Sequence, residues 1–205
     1  MSPPAGIVYV LDDESEMVKA LTRLLRARRF ETLGFTSVHA FLESCRPENN
    51  ACLVLDVAMP ELDGLELQRR LTHQGNLIPI IFLTGHGDIP MSVAAIKAGA
   101  TEFLTKTVDA ANLVQAVRAA LQIAETRRQA AAETAALAAR LASLTPRQLE
   151  VMKHVVAGQL NKQIAFDLGT GEQNIKLHRA QIMKKMGVDS LADLVRVAER
   201  LGIGK

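Results

Sequence analysis

The chain has 205 residues, of which 48% are hydrophobic, 22% charged and 3% aromatic, a composition typical of a globular protein with one medium or two small domains. No apolar run is long enough to cross a bilayer, and Met1-Ser2-Pro3-Pro4 lacks the basic and apolar regions of a signal peptide. Cys45 and Cys52 show neither CxxC spacing nor a nearby histidine pair, so we expect a reduced, cytoplasmic protein without structural zinc.

Charge is distributed unevenly along the chain. Residues 1–125 hold 11 Lys and Arg against 15 Asp and Glu, whereas residues 145–205 hold 10 Lys and Arg against 6 Asp and Glu. An acidic front and a basic tail suggest that only the C-terminal part of the chain meets a polyanion.

Five short apolar segments in the first part of the chain are predicted to be strands, and each is followed by an amphipathic helix. The predicted strands cover residues 7–11, 31–35, 51–55, 79–83 and 101–104. The predicted helices cover residues 15–29, 37–44, 65–71 and 90–98, with a fifth from residue 109 onward. Continuous apolar strands with intervening helices predict a five-stranded parallel sheet, and right-handed crossovers make it doubly wound.

Polar side chains stand where four of these strands end. They are Asp12 and Asp13 after the first strand, Asp56 after the third, Thr84 after the fourth and Lys106 after the fifth. Because the carboxyl ends of parallel strands meet at one edge of the sheet, we expect these side chains to lie together. Three crowded carboxylates resist ionisation unless a cation joins them, and an all-oxygen ligand set suits Mg²⁺.

The remaining ammonium and hydroxyl suit a phosphoryl group held on a carboxylate. Lys106 and the metal would neutralise the phosphoryl oxygens, while Thr84 would donate a hydrogen bond. The pattern therefore predicts that Asp56 is a phosphoryl acceptor. The simpler alternative is that Asp56 is a turn residue that only caps the following loop.

Residues 7–121 resemble the receiver domain of two-component response regulators. The matching residues are Asp12-Asp13, Asp56, Met59-Pro60, Asp63-Gly64, Thr84-Gly85-His86-Gly87 and Lys106. The resemblance implies a flavodoxin-like α/β fold and phosphorylation of Asp56 by a sensor histidine kinase. It also implies a Mg²⁺ site formed by Asp12, Asp13, Asp56 and the backbone carbonyl of Ala58.

By the same resemblance, Thr84 and Phe103 form the pair that rearranges on phosphorylation, although an aromatic residue in a strand is usually just part of the core. The sequence departs from the receiver pattern directly after Lys106, where relatives usually place a proline in a cis peptide bond and this chain has Thr107. A non-proline cis bond costs about 3 kcal/mol. We therefore expect a loop that is trans, displaced or strained, with Lys106 held less firmly over the phosphoryl site.

Residues 124–142 are rich in Ala, Glu, Arg, Gln and Leu and contain neither Gly nor Pro. This composition strongly favours helix, so we predict a semi-rigid helical linker that continues the helix begun near residue 109. The alternative is a polar, alanine-rich spacer that is partly frayed in solution.

The last part of the chain is predicted to be all-α, with four helices. They cover residues 146–157, 161–168, 172–186 and 191–201. The second and third are joined by a tight turn that contains glycine, and the third has a basic outer face, which is typical of a helix-turn-helix. Pattern alone leaves open a small helical bundle whose charged face is merely solvated.

Residues 144–201 resemble the LuxR/FixJ-type DNA-binding domain. The matching residues include Thr145-Pro146-Arg147, Asn161-Lys162-Gln163-Ile164-Ala165, Leu168-Gly169, Ile175-Lys176, His178-Arg179 and Met183-Lys184-Lys185. By this resemblance, the main phosphate contacts are Lys162, Lys176, Arg179 and Lys184. The side chains that point toward base edges are Gln173, Asn174 and Leu177.

The two resemblances together indicate a bacterial response regulator of the FixJ/NarL type rather than an enzyme. We expect a receiver over residues 1–123, a helical linker over 124–143 and a helix-turn-helix domain over 144–205. Phosphorylation would drive homodimerisation and binding to promoter DNA, with RNA polymerase as a further candidate partner.

Two other function classes share part of this pattern. Haloacid dehalogenase-type phosphatases need a second acid two residues after the nucleophile, where this chain has Ala58. The other class is a DNA-binding regulator whose receiver serves as a phosphorylation-independent dimerisation module.

Overall fold

The computed structural model describes residues 6–46, 50–60, 62–85 and 89–203. The chain forms two compact units, Met1–Arg128 and Gln129–Lys205. The boundary between the units falls inside the segment for which the sequence predicts a linker. Across the described ranges, no helix combines the length and the apolar character that a membrane span requires.

The first unit is built on a sheet of five parallel strands. The strands are β1 (Ile7–Leu11), β2 (Glu31–Phe35), β3 (Ala51–Asp56), β4 (Ile80–Thr84) and β5 (Glu102–Thr105). Their order in the sheet is β2-β1-β3-β4-β5, and every neighbouring pair is parallel. This order confirms the predicted doubly wound, flavodoxin-like fold.

Helices cover both faces of the sheet. They are α1 (Ser15–Ala27), α2 (Val38–Ser44), α3 (Gly64–His73), α4 (Ile89–Lys97) and α5 (Ala110–Ala142). Successive strand residues point to opposite faces, so β3 sends Leu53 and Leu55 into one apolar cluster and Cys52 and Val54 into another. All six residues of β3 are buried, which places the strand that carries Asp56 at the centre of the unit.

Gly64, the first residue of α3, is pressed against the end of β3. Its backbone N–H donates to the carbonyl of Val57 at 3.0 Å. A Cβ added at Gly64 would fall 2.5 Å from the carbonyl oxygen of Asp56 and 3.1 Å from the ring of Phe82. Only a glycine therefore allows α3 to begin this close to the acidic edge of the sheet.

The helix α5 is continuous over 33 residues, as the composition of the predicted linker requires. The second unit then contains α6 (Pro146–Val156), α7 (Asn161–Asp167), α8 (Glu172–Met186) and α9 (Leu191–Arg200). These are the four helices expected from the sequence. Their core consists of residues such as Val151, Met152, Ile164, Ile175, Ile182 and Leu194.

Two helices of the second unit, α6 and α9, begin at side-chain caps. The hydroxyl of Thr145 accepts a hydrogen bond from the backbone of Gln148, whose side chain in turn accepts from the backbone of Thr145. Ser190 caps α9 by accepting from the backbone N–H of Asp193 at 3.1 Å. The structure thus confirms Thr145 and Ser190 as the helix starts that their residue types predict.

We expect Gly64→Ala to lower the free energy of unfolding of the first unit by about 1–3 kcal/mol, because the added methyl group overpacks a site bounded by backbone. Tyr9 is the only tyrosine, the chain has no tryptophan, and Tyr9 is buried in the first unit. Its fluorescence during urea unfolding therefore reports this unit. The matched control is Gly85→Ala, where an added Cβ meets nothing within 4 Å; equal stability of the two variants would contradict the packing argument.

Candidate functional site

Three carboxylates meet at the carboxyl edge of the sheet. Asp12 and Asp13 directly follow β1, and Asp56 is the last residue of β3. One oxygen from each lies within 4.8 Å of the others. Asp12 and Asp56 are only 1% and 4% exposed, whereas Asp13 faces solvent. The edge therefore concentrates negative charge where water is largely excluded.

Lys106 supplies the compensating positive charge. It follows β5, and its backbone N–H donates to the carbonyl of Thr84 at 2.6 Å, which ties the ends of β4 and β5 together. Its ammonium lies 3.0 Å from Asp56 Oδ2 and 2.9 Å from Asp12 Oδ2. It also contacts Glu14 Oε1 at 3.1 Å. A single cation is therefore shared by carboxylates from two strand ends and the loop after β1.

Glu14 was not among the site residues predicted from the sequence. Its position in the acidic run directly after Asp13 was the available signal. Its backbone N–H also donates to Asp12 Oδ1 at 2.9 Å, which holds the Asp12 carboxylate in place.

Thr107 leaves the peptide bond after Lys106 trans, and no cis peptide bond occurs among the described residues. A turn closes with a hydrogen bond from the backbone N–H of Val108 to the carbonyl of Thr105 at 2.9 Å. The hydroxyls of Thr105 and Thr107 lie 3.0 Å apart across this turn. In this trans loop, Lys106 still reaches all three of its carboxylate partners.

Burial raises the pKa of Asp56, and the nearby charge of Asp12 raises it further, while the hydrogen bond from Lys106 opposes both. Burial lowers the pKa of Lys106, but its contacts with Asp12, Asp56 and Glu14 outweigh this effect, so the net shift is upward. The ammonium therefore stays charged, and it shares a buried edge with a carboxyl group that burial makes harder to ionise.

The acidic edge has the properties of a site for a hard cation. Asp12 Oδ2 is buried, and its partner among the described residues is the Lys106 ammonium, 2.9 Å away, which Asp56 and Glu14 share. The side-chain atoms at this edge that could bind a metal ion are carboxylate oxygens. One ammonium does not balance the negative charge of Asp12, Asp13 and Asp56. An oxygen-liganded divalent ion fits both observations. The backbone N–H of Ala58 donates to Asp56 Oδ1 at 3.3 Å, which places Ala58 beside the same carboxylate.

Thr84 and Phe103 lie on the two neighbouring strands at this end of the sheet. Thr84 is the last residue of β4 and is buried. Phe103, in β5, is partly buried, and its ring centroid is 6.1 Å from that of Phe82. Phe103 thus packs against the core while lying next to the strand that carries Thr84. The motif residues His86 and Gly87 lie outside the described residues.

In the second unit, α8 presents a solvent-exposed stripe opposite its buried face. Ile175, Ile182 and Met186 are buried, whereas the exposed residues of the stripe include Gln173, Lys176, Leu177, Ala180 and Lys184. Leu177 is 58% exposed, so its side chain is accessible on this stripe. Lys162 on α7 is exposed as well.

Two predicted DNA contacts are engaged within the protein. The guanidinium of Arg179 is partly buried and donates to Asn161 Oδ1 at 2.9 Å. The side-chain amide of Asn174 donates to the hydroxyl of Thr170 at 3.1 Å. Arg179 lies four residues after the buried Ile175, so helical periodicity turns it toward α7 rather than to the centre of the exposed stripe. Its role as a phosphate contact stays a prediction.

We expect Lys106→Met to lower the free energy of unfolding of the first unit by about 3 kcal/mol at about pH 8, because it leaves buried carboxylates without their cation. The substitution removes a contact that lowers the pKa of Asp56 and keeps the burial that raises it. An acid whose native pKa exceeds its unfolded value destabilises the fold as the pH rises above the unfolded pKa. Because the variant raises the native pKa of Asp56 further, its deficit should shrink as the pH falls from about 8 toward the native pKa of Asp56 in the wild type.

Urea unfolding followed by Tyr9 fluorescence measures this difference at each pH. Lys97→Met, at an exposed position on α4, is the matched control. A deficit that is independent of pH would show that Lys106 contributes through packing alone.

Known proteins resemble the chain in both units. The family described as "Response regulator receiver domain" matches residues 8–118, and the family described as "Bacterial regulatory proteins, luxR family" matches residues 142–198. Response regulator protein TodT of Pseudomonas putida is 46% identical over 201 residues, which cover 98% of this chain and 88% of that protein.

Further matches extend over nearly the whole chain. Transcriptional regulatory protein FixJ of Bradyrhizobium diazoefficiens is 39% identical over 198 residues, which cover 97% of each protein. A solved structure of the response regulator StyR is 45% identical and aligns with a TM-score of 0.85 over 95% of this chain and 98% of that one. The chain therefore belongs to the response regulators of two-component systems, with a receiver domain followed by a LuxR-type DNA-binding domain, as in the FixJ transcriptional regulators.

Proposed function

We propose that Asp56 is the phosphoryl acceptor of this regulator and that a sensor histidine kinase is the donor. The observation that carries the proposal is the buried Asp56 carboxylate within 3.0 Å of the Lys106 ammonium and beside Asp12 and Asp13. In the transfer, an Asp56 oxygen forms a bond to phosphorus as the bond from phosphorus to the kinase histidine breaks. The histidine leaves with the electron pair of that bond.

The residues around Asp56 have separate roles in the proposal. Lys106, whose ammonium lies 3.0 Å from Asp56 Oδ2, would neutralise a phosphoryl oxygen, and Thr84, at the end of the neighbouring strand, would donate a hydrogen bond to another. Asp12, Asp13 and the backbone carbonyl of Ala58 would hold Mg²⁺ together with Asp56. The ion would supply positive charge that shields the negative phosphoryl group from the carboxylates.

In the proposal, phosphorylation of Asp56 then causes the receiver domain to dimerise. We propose that Thr84 and Phe103 rearrange and that the surface within residues 89–121 forms a homodimer. Two DNA-binding domains held together bind paired half-sites more tightly than one, because the second binding event becomes intramolecular. The resulting complex would regulate transcription at a promoter in the bacterial cytoplasm, with RNA polymerase as a further proposed partner.

The proposed organisation is a receiver over residues 1–123, a linker over 124–143 and a helix-turn-helix domain over 144–205. The protein acts in this proposal as a regulator and not as an enzyme with turnover. The alternative, a receiver that only dimerises, is not favoured because Asp12, Asp13, Asp56 and Lys106, the groups that the proposed phosphotransfer requires, meet at one edge of the sheet.

The acceptor is tested by incubating the protein with acetyl phosphate and Mg²⁺. We expect intact-mass analysis to show the gain of one phosphoryl group, and gel filtration with light scattering to show a shift from monomer to dimer. Both changes should be absent in Asp56→Asn and when EDTA replaces Mg²⁺. The matched control is Asp63→Asn, which removes a carboxylate that caps α3. Phosphorylation of Asp56→Asn, or failure of the wild type to accept phosphate, would contradict the assignment.

The DNA interface is tested by the salt dependence of binding. Lys176→Ala and Lys184→Ala should each weaken binding and reduce the slope of log K against log salt by about 0.9, because each removes one phosphate contact. Fluorescence anisotropy with a duplex selected from a random library on the phosphorylated protein measures both quantities. Lys153→Ala, at an exposed position on α6, is the control and should leave the slope unchanged. Equal salt slopes for all variants would show that Lys176 and Lys184 of α8 do not contact DNA phosphates.

A further inference from the structure

The last turns of α5 and α8 exchange side-chain contacts. The guanidinium of Arg140, in α5, donates a hydrogen bond to the carbonyl of Met186, the final residue of α8, at 3.0 Å. In return, the ammonium of Lys185, in α8, donates to the carbonyl of Ser143, just beyond the end of α5, at 2.8 Å. Each helix therefore has a carbonyl at its C-terminal end satisfied by a cation of the other. We call this pair of contacts the C-terminal clamp.

The clamp satisfies backbone carbonyls at the C-terminal ends of two helices. A helix leaves its last carbonyls without intrahelical partners and carries partial negative charge at that end, where cations are stabilising. Here both cations come from the opposite helix, so capping and cross-linking are achieved by the same contacts. The Arg140 guanidinium also lies directly against Gly187, where an added Cβ would fall 2.7 Å from its Nη1 atom.

A buried glutamine joins the clamp to the rest of the unit. Gln148, on α6, is buried and accepts a second hydrogen bond from Lys185 at 2.8 Å. Its side-chain amide donates to Gln181 Oε1, on α8, at 2.9 Å. Leu141, in the last turn of α5, packs against the apolar core of the same unit. The end of α5 is thus an integral part of the unit that contains α8.

We propose that Arg140 and Lys185 are positioning residues, which fix the orientation of α8 without touching DNA. Arg140 lies outside the matched range 142–198 of the LuxR family. The inference rests on the proposed role of α8 as the helix that enters the major groove. Reading of base edges depends on the angle of this helix, whereas sequence-independent attraction to phosphates depends mainly on charge. Loss of the clamp should therefore reduce specific binding more than non-specific binding.

The test compares Arg140→Ala and Lys185→Ala with a neutral control, Arg128→Ala, and with Lys184→Ala, the proposed phosphate contact that should lower the salt slope, in the full-length, phosphorylated protein. Arg128→Ala removes a guanidinium from α5 that pairs with Glu125 of the same helix. Lys184→Ala removes an exposed cation of α8 next to Lys185. Anisotropy measures binding to the selected duplex and to a scrambled duplex of the same length and composition over a range of salt concentrations.

Each clamp variant should bind the selected duplex about three- to tenfold more weakly, as expected for the loss of a hydrogen bond to a charged group near the surface. Binding to the scrambled duplex should change by less than about twofold, and the salt slope should stay unchanged, because no phosphate contact is lost. The double variant should lose less binding free energy for the selected duplex than the sum of the losses in the two single variants. Arg140→Lys should restore part of the specific binding, and Arg128→Ala should bind like the wild type.

Three results would overturn the inference: a lower salt slope for Arg140→Ala, equal losses on both duplexes, or unchanged binding to the selected duplex. Hydrogen exchange without DNA provides a separate measurement, since amides in the last turn of α8 should exchange faster in Arg140→Ala than in Arg128→Ala. If the wild type binds no duplex, the proposed DNA interface fails, and the exchange rates still decide whether the clamp holds α8.

Discussion

The arrangement of the first unit depends on one shared cation. Asp12 and Asp56 end neighbouring strands and are almost fully buried, which would be costly for two like charges without a partner. The ammonium of Lys106, delivered from the end of β5, contacts both. Three strand ends are therefore tied by charge as well as by the sheet. One cation for several carboxylates leaves a net negative charge, which a bound divalent metal ion would compensate.

The packing of β3 makes this edge rigid. Its six residues are buried between helices on both faces, and Gly64 lets α3 begin in contact with the carbonyl of Asp56. In the proposed mechanism, a new charge at Asp56 is therefore accommodated by neighbouring side chains rather than by a shift of β3. Thr84, at the end of the neighbouring strand β4, and Phe103, in β5 beyond it, are the residues that we propose to adjust.

Helix ends have a comparable role in the second unit. Side chains of Thr145, Gln148 and Ser190 cap the starts of α6 and α9, while Arg140 and Lys185 donate to carbonyls at the ends of α8 and α5. The helix α8 itself ends at Gly187, which adopts the left-handed conformation. In the proposed role of the C-terminal clamp, polar contacts and the small apolar core together orient the exposed stripe of α8.

The sequence by itself determined the order of the elements, the parallel sheet and the residues at its carboxyl edge. Each apolar run of strand length is followed by a polar residue such as Asp12, Asp56 or Lys106. In a parallel sheet the carboxyl ends of the strands lie at one edge, so these residues can be predicted to lie close together. The contacts of long polar side chains became visible only in the folded structure: Glu14 pairs with Lys106, Arg179 with Asn161, and Arg140 with the backbone carbonyl of Met186. The partners of long side chains depend on how the helices pack and on side-chain rotamers. Hydrophobic periodicity in the sequence predicts neither.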